Sequence, residues 1–242
     1  MKITVLGNAD SDQWFAHRLA ARGFDVAPAA APSPGQNIVA GLLADRIVVD
    51  TGPGSIDTRH QRAEHCRRTG WGYAEMAGPW QPLGQQFGFP LFVGADTDTR
   101  AALTPLFDAL APQAGAWLPC GPAASGRFAA QIFNALTMAC ALACQAGWST
   151  PGQTLHTPDW GAFFLQQRTL ADKLLALSQR YLALYPDDAA TDDPWQQLAA
   201  FSQPPRQQPH FSASLARLIV LALTQSEAQQ AILSKLMTGA TG

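Results

Sequence analysis

The residues of this chain that could do chemistry fall in a few short stretches. On one long apolar segment Arg127, Gln131 and Asn134 recur at i, i+4 and i+7, which puts a guanidinium and two amides on one face of a helix. Buried groups of this kind need partners. They either bond one another and the neighbouring loops or line a pocket for a small anionic ligand. Near the N-terminus, Gly7, Asn8 and Ala9 lie between an apolar strand and a helical pattern. Backbone N–H groups and the helix dipole receive phosphates at such a place. Asp10 and Asp12 share that turn, and carboxylates there cap a helix but repel a phosphate, so the turn is either a nucleotide site or simply a capped helix.

Gly52, Gly54 and Ser55 form a second loop ahead of a helix, either an anion cradle of backbone N–H groups or a plain helix-start turn. His60 and Glu64 share a helix face at i,i+4 while His65 points elsewhere, which predicts no three-ligand metal site. Cys140 and Cys144 also share a face, without a His or carboxylate nearby. Together with Cys66 and Cys120 they are expected to be buried structural thiols, the alternative being a metal or redox pair.

These residues must be positioned by a chain of 242 residues, long enough for one large domain or two modest ones. Apolar residues make up 47% and charged residues 14% of it. So little charge predicts an apolar face buried against a second copy, a homodimer. A formal net charge of −2 predicts no nucleic-acid and no membrane-surface partner. The longest apolar run, Phe128 to Ala146, is interrupted by Gln131, Asn134, Thr137 and Gln145 and does not predict a membrane span. MKITVLG enters a strand pattern at once, without the sections of a signal peptide, so the cytoplasm is the expected location.

The pattern predicts strands at Lys2–Leu6, Phe24–Ala27, Arg46–Asp50, Gly72–Met76, Pro90–Val93 and Ala114–Pro119. Helices are expected over Ser11–Arg22, Gln36–Ala44, Ser55–Thr69 with Ser55 as N-cap, Thr97–Ala111 and Gly126–Gly147. Pro28 to Pro34 is an Ala/Pro linker, and further helices follow near Asp159–Tyr185, Pro194–Phe201 and Phe211–Met237. The fold class is therefore α/β: a reduced Rossmann-like N-terminal domain, residues 1–121, followed by an all-α C-terminal domain, residues 122–242, entered through a long helix. Between the strands at Phe24–Ala27 and Arg46–Asp50 there is no room for the usual further strands and helices.

Three segments carry a family resemblance. RIVVDTGPGS, FGFPLFVGAD and GPAASGRFAAQIFNAL occur in the order and spacing of three motifs of the 6-phosphogluconate and β-hydroxyacid (3-hydroxyisobutyrate) dehydrogenases. The chain resembles a shortened, divergent member of that superfamily. The resemblance implies NAD or NADP as cofactor, a small hydroxy- or oxo-acid as substrate, and a dimer built on the helical domain.

Residue by residue, much of that chemistry is absent. Ala9 and Asp12 stand where the family's dinucleotide turn has its later glycines, and no donor for the adenosine ribose follows the second strand. Pro53 and Gly54 replace an Asn and a Ser, and Ala77, Gly78 and Pro79 replace a Ser-Gly-Gly loop. Ala130 stands at the position of the general acid/base lysine, and an alanine carries no proton. Asn134 is retained, whereas Phe133 and Thr137 replace a histidine and a glutamate of the gluconate enzymes. The expectation is an NAD(P)-dependent oxidoreductase homologue with an eroded cofactor site and no standard hydride transfer. The alternative is a non-catalytic ligand-binding or structural dimeric protein on the same scaffold.

Overall fold

A computed structural model describes residues 2–7, 9–28, 40–146, 160–186 and 193–224. Strand β1 is Lys2–Val5, followed by α1, Asp10–Ala21, and β2, Asp25–Pro28. The chain is described again from Ala40, where β3 (Gly41–Ala44) and β4 (Ile47–Asp50) form a hairpin. Then come α2 (Ile56–Arg68), β5 (Gly72–Ala77), the short α3 (Gly84–Phe87), β6 (Phe92–Ala95), α4 (Thr97–Leu110) and β7 (Leu118–Gly121). The long α5 (Ser125–Ala146) leads to α6 (Trp160–Leu182), α7 (Pro194–Phe201), a single 3₁₀ turn at Pro205–Gln207, and α8 (Phe211–Thr224). The α/β architecture with a helical C-terminal region is as the residue pattern predicts. No helix among the described residues is long and apolar enough to cross a membrane.

The helix expected over Gln36–Ala44 is corrected: residues 36–39 lie outside the described residues, and Gly41–Ala44 is a strand. Asp45 and Arg46 close the β3–β4 hairpin in two residues, with Asp45 at a φ of 51°. Asp tolerates this left-handed conformation better than most residues, which lets so short a loop turn the chain. The space thought too small for another strand therefore holds one. Of the Ala/Pro linker, Pro28 ends β2 and the rest lies outside the described residues.

The described strands make one sheet in the order β2-β1-β3-β4-β5-β6-β7. β1 pairs parallel with β2, β4 with β5 and β6 with β7, while β3 runs antiparallel to both of its neighbours. The sheet's two faces follow from the strand period of two. Val49, Ala74 and Met76 face one way, into a core with Phe15, Leu19, Phe89, Leu103 and Phe107. Val48 and Tyr73 face the other way, against Cys66 and Ala63 of α2. Asp50 and Glu75 belong by register to this second face, and they are direct partners across β4 and β5.

By compactness the chain divides into two units. One is Met1–Ala130 with Gln203–Ala213, and the other is Gln131–Ser202 with Ser214–Gly242. The sheet, its covering helices and the first turn of α5 all belong to the first unit.

Candidate functional site

Three arginines and two carboxylates converge on the α2 face of the sheet. Asp50 ends β4 and is fully buried. Its Oδ2 accepts from Arg62 Nη1 and from Tyr73 Oη, both at 2.9 Å, and its Oδ1 accepts from the Gly52 N–H at 2.9 Å. Arg59, 1% exposed, donates from Nη1 to the Asp50 carbonyl at 2.6 Å and from Nη2 to the Gly52 carbonyl. The Arg59 guanidinium also lies 3.4 Å from the Asp50 carboxylate and 3.6 Å from that of Glu75. Burial alone would lower the Arg59 pKa, but Glu75 and Asp50 outweigh it and hold the group above its usual value. Burial and the neighbouring carboxylates push the Tyr73 phenol well up.

Glu75 is the least satisfied member. Its Oε1 accepts from the Arg127 N–H at 3.0 Å, at the start of α5. Its Oε2 is buried with no hydrogen-bond partner. Burial raises its pKa to about 7 against the opposing pull of Arg59 and of the α5 backbone. Two glycines permit the close approach. A Cβ on Gly94 would lie 2.6 Å from Glu75 Oε1, and one on Gly126 would lie 3.0 Å from the Gly94 nitrogen. The sheet and the first turn of α5 can meet over Glu75 because neither position carries a side chain.

The candidates of the TGPGS loop are used inside the loop. The Gly52 N–H is bonded to Asp50 and the Ser55 hydroxyl accepts from the Thr58 N–H at 3.2 Å, capping α2. Gly54 has a φ of 146°, which glycine accommodates. Gly78 is a place of close approach, where a Cβ would collide with the Pro90 carbonyl.

The turn at Gly7 is filled by the protein itself. A Cβ on Gly7 would collide with Asp12 Oδ2 and lie 3.1 Å from Ala40 Cα. Asp12 is fully buried, and its carboxylate accepts from the Ala9 N–H at 3.1 Å. Burial raises the Asp12 pKa, partly offset by the bonds from Ala9 and Thr51. The chain entering β3 runs over the same place: the Leu6 N–H donates to Gly41 O at 2.9 Å and the Thr51 N–H to Ala40 O at 3.2 Å. Asn8 lies outside the described residues.

No family model matches this chain, and no curated protein does so in sequence. In structure it is similar to 3-hydroxyisobutyrate dehydrogenases. One is the Mycobacterium tuberculosis 3-hydroxyisobutyrate dehydrogenase with L-serine, at 14% identity and a TM-score of 0.45, covering 90% of this chain and 99% of that one. Another is the 3-hydroxyisobutyrate dehydrogenase of Salmonella typhimurium, at 13% identity and a TM-score of 0.38, covering 91% and 93%.

On α5, Ala130 is buried, Arg127 and Gln131 are half-buried, and Asn134, Phe133 and Thr137 are exposed. Arg127 Nε and Gln131 Oε1 are buried without hydrogen-bond partners. Arg127 is thus joined to the charged cluster, through its backbone to Glu75, while Asn134 stands in solvent. Of the four thiols, Cys66 and Cys120 are buried as expected. Cys140 is exposed, a correction, because it lies on the solvent side of α5. The Cys144 side chain lies outside the described residues. Glu64 pairs with exposed Arg67 at 2.7 Å, an ordinary surface bridge on α2.

The residues missed from sequence are Asp50, Arg59, Arg62, Tyr73 and Glu75. The available signal was a glutamate inside the buried run GYAEMA, since a fully buried Glu is rare unless paired.

Proposed function

We propose that this chain is an oxidoreductase homologue that does not perform NAD(P)-dependent hydride transfer and serves as a binding or scaffold protein. One observation carries the reading: the chain's own backbone at Ala40 and Gly41 crosses the carboxyl ends of β1 and β4. In a doubly wound sheet, ligands bind in the crevice outside those ends, where the strand order reverses. Here β3 is inserted at that point. Ala40 and the Asp12 carboxylate pack against Gly7, so the residues present do not fit a pyrophosphate. The alanine at position 130 adds to this, because a buried methyl group can neither give nor take a proton.

The test is a thermal melt with millimolar NADH or NADPH. A ligand that binds the native state must stabilise it. An unchanged melting temperature is expected, and a rise of several degrees with either nucleotide overturns the reading.

The second element of the proposal is a homodimer. Phe133, Leu136 and Met138 on α5, and Phe164 and Leu165 on α6, are large apolar side chains left exposed. With so little charge in the chain, a second copy is the occupant these surfaces favour. Sedimentation at micromolar concentration is expected to give a dimer, and a monomer overturns this part.

A further inference from the structure

The charged cluster is unbalanced on one side. Arg59, Arg62 and Arg127 face Asp50 and Glu75. Arg59 is committed to two carbonyls and two carboxylates. Arg62 is committed to Asp50 and to the Pro53 carbonyl. Arg127 is different: among the described residues no carboxylate lies within 4.0 Å of its guanidinium. Its Nε is nevertheless buried without a hydrogen-bond partner, as is Arg59 Nε beside it. Buried polar atoms are nearly always satisfied, so two unpaired guanidinium donors in one cluster need an explanation. Burial, together with the nearby charge of Arg59, pulls the Arg127 pKa down, and Glu75 only partly opposes this. The cluster holds a cation where the protein supplies too little negative charge.

We infer that the Arg127 guanidinium, backed by Arg59, is the receptor for a small oxyanion, a carboxylate or a phosphate. A guanidinium presents a planar fork of donors that matches either oxyanion in a bidentate way. The partner chemistry is thus an oxyanion, singly or doubly negative, that can accept two N–H bonds from one guanidinium. The inference does not depend on whether a nucleotide binds at Gly7, because no residue of that turn takes part.

Glu75 makes the site pH-dependent. It is faced by Asp50 from β4, Tyr73 from its own strand, Arg59 from α2, Cys120 from β7 and Arg127 from α5. Burial pushes the thiol of Cys120 and the phenol of Tyr73 up, so both stay neutral around neutrality. Protonating Glu75 removes one negative charge beside Arg127, and the receptor attracts an anion more strongly.

The experiment is calorimetric titration of the intact chain, without nucleotide, using sulfate and acetate, whose charges stay constant from about pH 6 to about pH 8. Binding of sulfate points to a phosphate-type ligand and binding of acetate to a carboxylate. Affinity for the bound anion is expected to be higher at the lower pH. Arg127→Ala should weaken it by about tenfold or more, and Arg127→Lys should restore part of the loss. Glu75→Gln should make the affinity independent of pH. Neither anion binding at tens of millimolar, or Arg127→Ala binding like the native chain, overturns the inference.

Discussion

The Glu75 carboxylate, rising from the middle of the sheet, accepts from the Arg127 N–H at 3.0 Å and so caps the first turn of α5. The Asp12 carboxylate does the same for the Ala9 N–H at the start of α1. A helix N-terminus favours negative charge and is a common anion site. In this chain both termini are met by buried carboxylates of its own.

Glu75 sets a pH dependence of stability. Its folded pKa is raised, to about 7. Stability tied to the protonated acid is therefore fully present below the ordinary carboxyl range and lost as pH rises through about 7. Relative to the native chain, Glu75→Gln should gain stability between about pH 5 and pH 8, by up to about 3 kcal/mol. Melting curves across that range check it, and a difference that stays flat or falls with pH contradicts it.

Arg59 is expected to be among the costliest residues to remove. Arg59→Met leaves two buried carboxylates without their shared cation and frees two carbonyls of the β4–α2 loop. Breaking a buried pair from one side costs about 3–5 kcal/mol. Urea denaturation should show a loss of that order, whereas a loss below about 1 kcal/mol would mean that the cluster contributes little.

Asp12→Ala should lower stability by about 1 kcal/mol, since the Ala9 N–H loses its acceptor. It should not create NADH binding, because Ala40 still covers Gly7. A melting-temperature rise with NADH in this variant alone would show that the carboxylate, not the backbone, closes the turn.

Ala130→Lys should also fail to produce nicotinamide-linked turnover with small hydroxy acids. The position is buried, so a lysine there overpacks α5 and costs about 1–3 kcal/mol. Measurable turnover would show that the proton-transfer residue was the missing part.

Much of the fold was legible because local rules agreed. Ser55 before α2 is the capping residue expected there and accepts from the Thr58 N–H; Asp96 before α4, not named from the sequence, caps in the same way through the Thr99 N–H. β4 and β5 were visible as short buried runs. The segment Gly41–Ala44 was misread because GLLA has no alternation and the hairpin loop, Asp45–Arg46, has no glycine to announce it. Its strand identity comes from pairing with β1 and β4, which no local pattern contains. The α3 helix was invisible for a different reason: four residues are too few to show a helical period.

The candidate site divides along the same line. The amino-acid order by itself determined that Ala130 carries no proton and that Ala9 and Asp12 replace glycines, because these are matters of residue identity. It also determined that Arg127 lies on the long helix. Only the tertiary structure decided that Asp12 folds back onto Gly7, that Ala40 covers the crevice, and that Glu75 meets Arg127 and Arg59 across three elements, β5, α5 and α2. The reason is that burial and charge balance depend on which distant residues share a space, and a buried Glu and a solvated one read alike in one dimension.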